Sequence, residues 1–195
     1  MLLPDLLQAL ADLTAHEPRP EAQSTAEALR AAATTDFPEQ TPSALADGIL
    51  HTASRPSHPV AKLIQDAHRW LPWQDSPIAA QQPDQLRAIK SVVTLLGPGA
   101  PIPSQTLLFG LFYQAPNAYY PLHTHNAAET YTIIAGSALW QAGDQSFPTT
   151  IADPIHQPPN LPHAMRAGPD GFLALWRWSD DIGFDSYRML PDPQA

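Results

Sequence analysis

The sequence predicts a mainly-β protein in which an N-terminal helical layer, residues 1–85, packs on a C-terminal β-barrel, residues 86–195. Apolar residues recur at helical spacing only in the first part of the chain. From about Arg87, short runs rich in β-branched and aromatic residues alternate with glycine and proline, which is typical of strands and turns. The chain of 195 residues has the length of about one domain. Its helical part is too short and too often broken by proline to fold alone.

Four helices are predicted in the first part of the chain. The first is amphipathic, because leucines at positions 3, 6, 7, 10 and 13 lie on one face, and Pro18 ends it. The second begins at a capping box formed by Ser24 and Glu27 and runs to about Thr34. The other two predicted helices span residues 42–51 and 60–70.

Four strands are predicted in the second part, over residues 88–96, 105–114, 131–141 and 172–179. No helical pattern lies between them, so no crossover helices are available and we expect antiparallel pairing. Antiparallel strands of this length build a sandwich or a closed barrel. The 23 prolines of the chain favour edge strands and frequent chain reversals.

Charge and composition exclude several classes of protein. The chain has 10 basic residues, of which only Lys62 and Lys90 are lysines, against 19 acidic ones, so we expect no nucleic-acid partner. It has no cysteine, which excludes disulfides and thiolate metal sites. We find neither a signal-peptide pattern nor an apolar run long enough for a bilayer, and we therefore expect a cytoplasmic protein without membrane contact. The sequence is compatible with a homodimer.

Three histidines form a pattern with the ligand spacing of a metal site. His123 and His125 are two residues apart, so they lie on one face of a strand. A short turn at residues 126–128 would bring Glu129 back beside them, and His163 on a later strand would complete the set. Imidazole and carboxylate ligands without sulfur suit one divalent transition metal, either Zn, Fe(II), Mn, Co or Ni. A lone His-x-His pair usually has no function, but the added glutamate and third histidine make this pattern far more specific.

The same residues resemble the motifs of the cupin superfamily. The first cupin motif, G-x5-H-x-H-x3-E-x6-G, is matched from His123 to Gly136, with Asn117 in place of the opening glycine. The second, G-x5-P-x-G-x2-H-x3-N, is matched at Pro158 and His163. Its remaining positions hold Ala152, Asn160 and Ala167. This resemblance implies that the predicted barrel is a cupin barrel, the double-stranded β-helix or jelly roll.

Within the superfamily, the chain is similar to the cupin dimethylsulfoniopropionate (DMSP) lyases. The residues that carry this likeness are Tyr131, the pair Tyr119–Tyr120, and Trp176 and Trp178. The resemblance implies a metal-dependent lyase that converts the zwitterion DMSP to dimethyl sulfide and acrylate by β-elimination. In that family the tyrosine after the glutamate acts both at the metal and as general base, so Tyr131 is a candidate for both roles.

The remaining candidate residues follow from the chemistry of the substrate. Trp176 and Trp178 share a strand face and could hold a sulfonium cation, which has no N–H donors and is best held by aromatic faces. Tyr120 is a second candidate base and a further substrate contact. Simple alternation places it opposite His123 unless Pro121 breaks the register. Arg177 faces away from the tryptophans, and we expect it at the surface.

Two further hypotheses fit the same ligand set. One is another cupin metalloenzyme, either a dioxygenase or an isomerase, because fold does not determine function. The other is a cupin that binds a small ligand without catalysis. For the lyase, Pro-rich segments 72–83 and 98–103 are candidate lids that would exclude water from the barrel mouth.

Overall fold

The computed structural model describes residues 2–32 and 37–194. Helices fill the first part of the described chain and strands the second, as predicted. No helix in these two ranges is both long and apolar enough to cross a membrane. The helices are α1 (Leu2–Thr14), α2 (Pro20–Ala31), α3 (Ala46–Ala53) and α4 (Val60–Ala67), and short 3-10 turns follow at His68–Trp70, Ala79–Gln81 and Asp84–Leu86.

Helix α2 begins earlier than the capping box predicts. Pro20 is its first residue, and no side chain caps its N-terminus. Proline is favoured at this position because its fixed φ suits a helix and its missing N–H would have no partner there. Ser24 therefore lies inside the helix, and the predicted start is wrong. The predicted end at Thr34 lies outside the described residues.

In the described part of the chain, nine strands form one sheet that is antiparallel except where the first two strands pair in parallel. The four predicted runs fall in β1, β3, β5 and β8, which confirms them. The strands are β1 (Lys90–Gly97), β2 (Ile102–Pro103), β3 (Leu107–Gln114), β4 (Tyr119–Thr124), β5 (Ala128–Ala142), β6 (Gln145–Pro148), β7 (Pro154–Gln157), β8 (His163–Ser179) and β9 (Arg188–Met189).

The long strands β5 and β8 form the centre of the sheet. They pair from Ala128 opposite Ser179 to Ala142 opposite His163. The other edge of β8 pairs with β3 along its second half and with β4 along its first half. The spacing of the motif suggests that a turn at residues 126–128 folds β5 back beside β4. This expectation is wrong, because β4 and β5 each pair with β8 and not with each other.

Glycine permits the bend that closes the sheet. Gly136 has φ +74°, and a Cβ there would lie 2.1 Å from the carbonyl oxygen of Gly171. The register between β5 and β8 shifts on both sides of Gly136, as at a β-bulge, and such irregularities bend a strand. Only glycine fits this close approach, which gives a physical reason for the last glycine of the first motif.

Among the described residues, two hydrophobic clusters lie on opposite faces of the sheet, and we call them the outer core and the inner core. The outer core joins the apolar faces of the helices to aliphatic side chains of the sheet, such as Leu10, Ile64 and Leu175. The inner core lies inside the barrel and is rich in aromatic rings, such as Phe172 and Trp176. Alternate residues of β8 enter different cores, as a pleated strand requires.

Arg177 is buried rather than at the surface, so that expectation is wrong. It points out of the barrel, but the connection between α1 and α2 covers it. Its guanidinium donates two hydrogen bonds to Glu17, from Nη1 to Oε2 at 2.6 Å and from Nη2 to Oε1 at 2.9 Å. It also donates to the hydroxyl of Thr130 at 3.0 Å. This bidentate ion pair joins the helical layer to the centre of the sheet.

Candidate active site

A pocket opens at one end of the inner core. Inward-facing residues of β1, β3, β4, β5 and β8 form its wall, and two further segments cover it. One is the loop of residues 76–78, and the other is the stretch after β8 that carries Phe184 and Tyr187. The second proline-rich segment, residues 98–103, contributes instead to a neighbouring groove through Pro98 and Pro101.

His125, Glu129 and His163 lie together beside this pocket. Each is at most 3% exposed, and one ligand atom from each lies within 4.8 Å of the others. Oε2 of Glu129 is 3.2 Å from Nε2 of His125 and 3.3 Å from Nε2 of His163. His125 directly follows β4, Glu129 lies near the start of β5, and His163 begins β8. The curl of the sheet brings the three together, so they could hold a metal ion.

The backbone orients all three histidine rings of the motif. Nδ1 lies within hydrogen-bond distance of a main-chain carbonyl oxygen in each: 2.7 Å for His123 to Pro121, 3.1 Å for His125 to Ala127, and 2.8 Å for His163 to Leu161. A carbonyl can only accept, so Nδ1 must carry the proton and Nε2 of a neutral ring keeps its lone pair.

The donor set fits a cation for a simple electrostatic reason. In the neutral rings, the Nε2 lone pairs of His125 and His163 face the same carboxylate oxygen of Glu129. Lone pairs and a negative charge repel each other in a buried site unless a proton or a metal ion lies among them. Two nitrogens and a carboxylate are also the ligand types that divalent transition metals prefer.

Glu129 is held as a carboxylate. Burial by itself raises the pKa of this group. When Nε2 of His125 and His163 carries a proton, the positive charge and hydrogen bonds of these rings outweigh burial and hold the pKa well below its usual value. The other oxygen, Oε1, accepts a hydrogen bond from the indole Nε1 of Trp178 at 2.5 Å. Trp178 lies directly opposite Glu129 in the register of β5 and β8, so the sheet itself sets this contact.

His123 lies beside the three-residue group rather than within it. Its ring meets the edge of His163 with centroids 4.1 Å apart and stacks on the ring of Tyr120, also at 4.1 Å. Burial, and next the charge of His163, hold the pKa of His123 well below its usual value. The arrangement makes His123 a neutral neighbour of the candidate metal site.

Tyr120 faces the pocket together with His123 because a bulge interrupts β4. Tyr120 pairs with Met165 and His123 with His163, so β4 uses one more residue than β8 between these two positions. The bulge contains Pro121, which has no N–H to contribute to the sheet. Its other member, Leu122, donates its N–H to the carboxylate of Asp192 at 2.8 Å. The alternation of β4 is thus broken at Pro121, which is the condition for Tyr120 and His123 to share a face.

The hydroxyl of Tyr120 lies in a buried hydrogen-bond network. Gln82 donates through Nε2 to Tyr120 at 2.5 Å and to Tyr187 at 2.7 Å, and the two hydroxyls are 3.0 Å apart. Burial, followed by the neighbouring Tyr187, raises the pKa of Tyr120 well above its usual value. This network orients the Tyr120 hydroxyl through groups from the 79–86 segment and the C-terminal segment.

Tyr131, Trp176 and Trp178 also face the pocket. Tyr131 lies opposite Trp176 in the register of β5 and β8. The indole rings of Trp176 and Trp178 are perpendicular, with centroids 6.2 Å apart. The ring centroids of Trp178 and His125 are 4.3 Å apart, which places an aromatic ring beside the candidate metal site. Burial, and then the charge of Glu129, raise the pKa of Tyr131 well above its usual value. The binding and catalytic roles of these residues stay predictions.

Sequence reasoning missed four residues that contribute to this site. Gln82, Phe184 and Tyr187 belong to irregular segments, where no periodicity indicates which side chains turn inward. The sequence contained a signal for Lys90, which begins an apolar strand. Residues two apart share a strand face, and Val92 faces the pocket, so Lys90 faces it as well. Lysine is almost never fully buried unless it is paired, so a lysine in the inward register of an apolar strand indicates a candidate functional group.

A bent sheet that brings two histidines and a glutamate to the mouth of an aromatic-lined barrel forms a candidate metal site of the cupin type. A profile of the DMSP lyase family matches residues 17–174, which is most of the chain. The chain therefore belongs to the DMSP lyase family. This finding confirms the predicted family resemblance and, with the barrel described above, the predicted fold class.

Known relatives agree with the family assignment. Over 113 residues the chain is 32% identical to dimethylsulfoniopropionate lyase DddQ of Ruegeria pomeroyi, and this match covers 57% of the chain and 54% of that protein. The aligned part thus spans about half the length of the relative. A crystal structure described with the DMSP lyases RdDddP and RnDddQII superposes with a TM-score of 0.71 and 25% identity, covering 97% of this chain and 98% of that one. The crystal structure of DMSP lyase DddQ from Ruegeria pomeroyi DSS-3 has a TM-score of 0.70 at 22% identity and covers 98% of both chains.

Proposed function

We propose that the protein is a metal-dependent DMSP lyase that cleaves DMSP to dimethyl sulfide and acrylate by β-elimination. The observation that carries this proposal is the convergence of His125, Glu129 and His163 beside a buried pocket lined by tyrosine and tryptophan rings. Membership of the DMSP lyase family and the activity after which its relative DddQ is named support it.

His125, Glu129 and His163 would hold one divalent ion, either Zn, Fe(II), Mn, Co or Ni, with His123 and Tyr131 as the nearest further candidates. When bound, such an ion supplies a Lewis acid that takes the substrate carboxylate and stabilises the charge that develops beside it. The hydrogen bond from Trp178 to Glu129 and those from the Nδ1 atoms of His125 and His163 to main-chain carbonyls would keep the ligands in place. Hydrogen bonds to groups outside the ligand set orient metal ligands in this way.

Tyr131 is the proposed general base. Burial and Glu129 disfavour the phenolate of Tyr131, and the positive charge of a bound metal ion would favour it. As phenolate, Tyr131 takes the proton from the carbon next to the carboxylate, the C–H electron pair forms the new double bond, and the C–S bond breaks to release dimethyl sulfide. Tyr131 returns to the phenol and must lose this proton to solvent before the next turnover. Tyr120 is the second candidate base, and its hydrogen bonds to Gln82 and Tyr187 favour a role in positioning substrate instead.

Trp176 and Trp178 are the proposed binding surface for the sulfonium. A sulfonium has no N–H group to donate, so the faces of aromatic rings are its best partners, at about 0.5–2 kcal/mol each. The perpendicular arrangement of the two indoles offers a face and an edge to a group of this size. The same rings exclude water from the leaving group.

Release of dimethyl sulfide under anaerobic conditions tests this proposal. Purified protein is incubated with DMSP before chelation, after chelation, and after restoring Zn, Mn or Fe(II), and the headspace gas is measured. We expect gas that chelation abolishes and metal restores. Gas release without oxygen would exclude a dioxygenase, and no gas from folded, metal-loaded protein would contradict the lyase.

Tyr131→Phe separates catalysis from binding. If Tyr131 is the base, the variant keeps its affinity for DMSP, measured by calorimetry, but loses at least about 100-fold in turnover, since a positioned base contributes about 10²–10⁴-fold. Tyr113→Phe is the matched control, because Tyr113 lies in the outer core and does not contact the pocket. A Tyr131→Phe variant with unchanged turnover would exclude this residue as the base.

A further inference from the structure

Lys90 is a buried cation without a counterion inside the pocket. Lys90 is the first residue of β1. It is only 3% exposed and lines the same pocket as Glu129 and Tyr131. Within residues 2–32 and 37–194, its Nζ has no hydrogen-bond partner. The ammonium lies 4.1 Å from the centre of the Tyr120 ring. Because His123 stacks on that ring at the same distance, the ammonium occupies the opposite face.

The contact with Tyr120 is too weak to compensate for burial of this charge. A cation–π contact contributes about 0.5–2 kcal/mol, whereas removing an ammonium from water costs several kcal/mol. Burial accordingly lowers the pKa of Lys90 to about 7, and the attraction of Glu129 and Asp75 opposes this only in part. A lysine here is costly unless an anion accompanies it.

The nearby carboxylates are already engaged with other partners. Glu129 accepts from Trp178 and faces His125 and His163. Asp75 lies 3.7 Å from the guanidinium of Arg87, in an exposed ion pair. The anion that completes the environment of Lys90 must therefore arrive with a ligand.

We propose that Lys90 binds the carboxylate of the substrate and gives the pocket its preference for organic acids over neutral molecules. The identity of that acid as DMSP rests on the proposed function; the role of Lys90 as an anion receptor does not. A carboxylate has two oxygens with about four acceptor sites, so contact with Lys90 and contact with the metal site do not exclude each other. Repulsion between like charges also disfavours any pose with the sulfonium beside Lys90, and this leaves the aromatic wall for the sulfonium.

A pair of unreactive ligands tests this role by calorimetry on metal-loaded protein. In 4-methylpentanoate, carbon replaces the sulfur of DMSP, so nothing can be eliminated; 4-methylpentanamide has the same shape and no charge. In Lys90→Met we expect the acid to bind roughly 10- to 100-fold more weakly and the amide to bind with nearly unchanged affinity, since one charge-assisted hydrogen bond is lost. Any preference that the metal gives for the acid is common to both proteins and cancels in the comparison.

The other lysine of the chain is a natural control. Lys62 is exposed on α4 and pairs with Asp66, so Lys62→Met should leave the affinity for both ligands unchanged. Lys90→Gln, which keeps a polar group of similar length, should lose the preference for the acid as Lys90→Met does. The proposal is overturned if either folded Lys90 variant binds the acid as tightly as the unmodified protein.

Kinetics with DMSP distinguishes this inference from the proposed function. If the protein releases dimethyl sulfide, Lys90→Met should raise KM roughly 10- to 100-fold with a much smaller change in kcat, because the lost contact is made equally in substrate and transition state. If the protein releases no gas, the calorimetric result still decides the role of Lys90. A large fall in kcat at constant KM would contradict a binding role.

Discussion

Two buried glutamates on opposite faces of the same pair of strands differ in how their charge is balanced. Glu17 lies against the outer face of β5 and β8 and forms a bidentate ion pair with Arg177. Glu129 lies on the inner face among His125, His163 and Trp178, and none of these side chains carries a permanent positive charge. The outer charge is neutralised by a guanidinium in direct contact with it, whereas the inner charge lies among the residues of the candidate metal site. Buried charge thus joins the layers on one face and forms a candidate ligand site on the other.

Glu129→Gln should produce the largest effect. The amide removes the negative charge that would attract the proposed metal ion, so we expect metal content after dialysis to fall close to zero. Turnover should fall by more than about 100-fold, since even partners of metal ligands contribute about 10–100-fold. Elemental analysis and the headspace assay measure the two effects. A variant that keeps its metal and its activity would remove the distinction between the two faces.

Glu17→Gln applies the same substitution to the outer face and should affect stability instead. Removing one member of a buried ion pair costs about 3–5 kcal/mol, because the remaining charge is left without a partner. Urea unfolding measures this loss, and metal content and turnover should be unchanged at 25 °C. In the double variant with Arg177→Met, most of the lost stability should return, because no charge is left unpaired. Equal losses in the single and double variants would contradict the account.

Lys90→Met should change how stability depends on pH. The folded-state pKa of Lys90 is about 7, below the ordinary value of 10.5. Between these values the unfolded chain binds more protons than the folded chain, so the unmodified protein gains stability as pH rises through this window. Relative to it, Lys90→Met should be more stabilised at pH 6 than at pH 9 by about 2–3 kcal/mol.

Comparing the two proteins at each pH isolates Lys90, since they share the other titratable groups of the pocket, namely Glu129, Tyr120, Tyr131, Tyr187 and the three histidines. Urea unfolding at pH 6 and pH 9 gives the four free energies required. An equal effect of the substitution at both pH values would mean that Lys90 keeps an ordinary pKa in the folded protein.

Ala152→Gly should have the smallest effect and should stabilise the protein. Ala152 has φ +69°, a left-handed conformation that disfavours a residue with a Cβ by about 1–2 kcal/mol. Glycine removes this strain but is more flexible when unfolded, so we expect a net gain of about 0.5–1 kcal/mol. Ala164→Gly within β8 is the matched control and should be destabilising, because that alanine lies in a regular strand. Thermal melting measures both, and a loss of stability in Ala152→Gly would contradict the strain argument.

Strand periodicity predicted the fold where the strands are regular. Glu129, Tyr131, Trp176 and Trp178 share the inner face because alternation is undisturbed at these positions. Asn117, Ala152 and Asn160, which replace the glycines of the two motifs, all have positive φ, as those motif positions require. Pattern and geometry agree here because both depend only on local backbone conformation.

The sequence could not predict features that depend on distant partners. The burial of Arg177 follows from Glu17, which lies 160 residues away in the chain. The bulge that turns Tyr120 inward depends on Asp192, and the pairing of β4 and β5 with β8 depends on closure of the whole barrel. The division of the chain at residue 85 also stays a prediction, since the outer core contains residues from both sides of it.

The contact of Asp192 with β4 has a practical consequence for engineering this protein. Asp192 accepts hydrogen bonds from the N–H of Leu122 and the hydroxyl of Tyr119, and β9 pairs with the end of β4. The C-terminal segment therefore maintains the register that orients Tyr120. A purification tag or immobilisation linker that replaces the residues after Met189 would remove the contacts of Asp192. The pocket would then change although the tag does not touch it. The same tag joined after Gln194 would preserve these contacts.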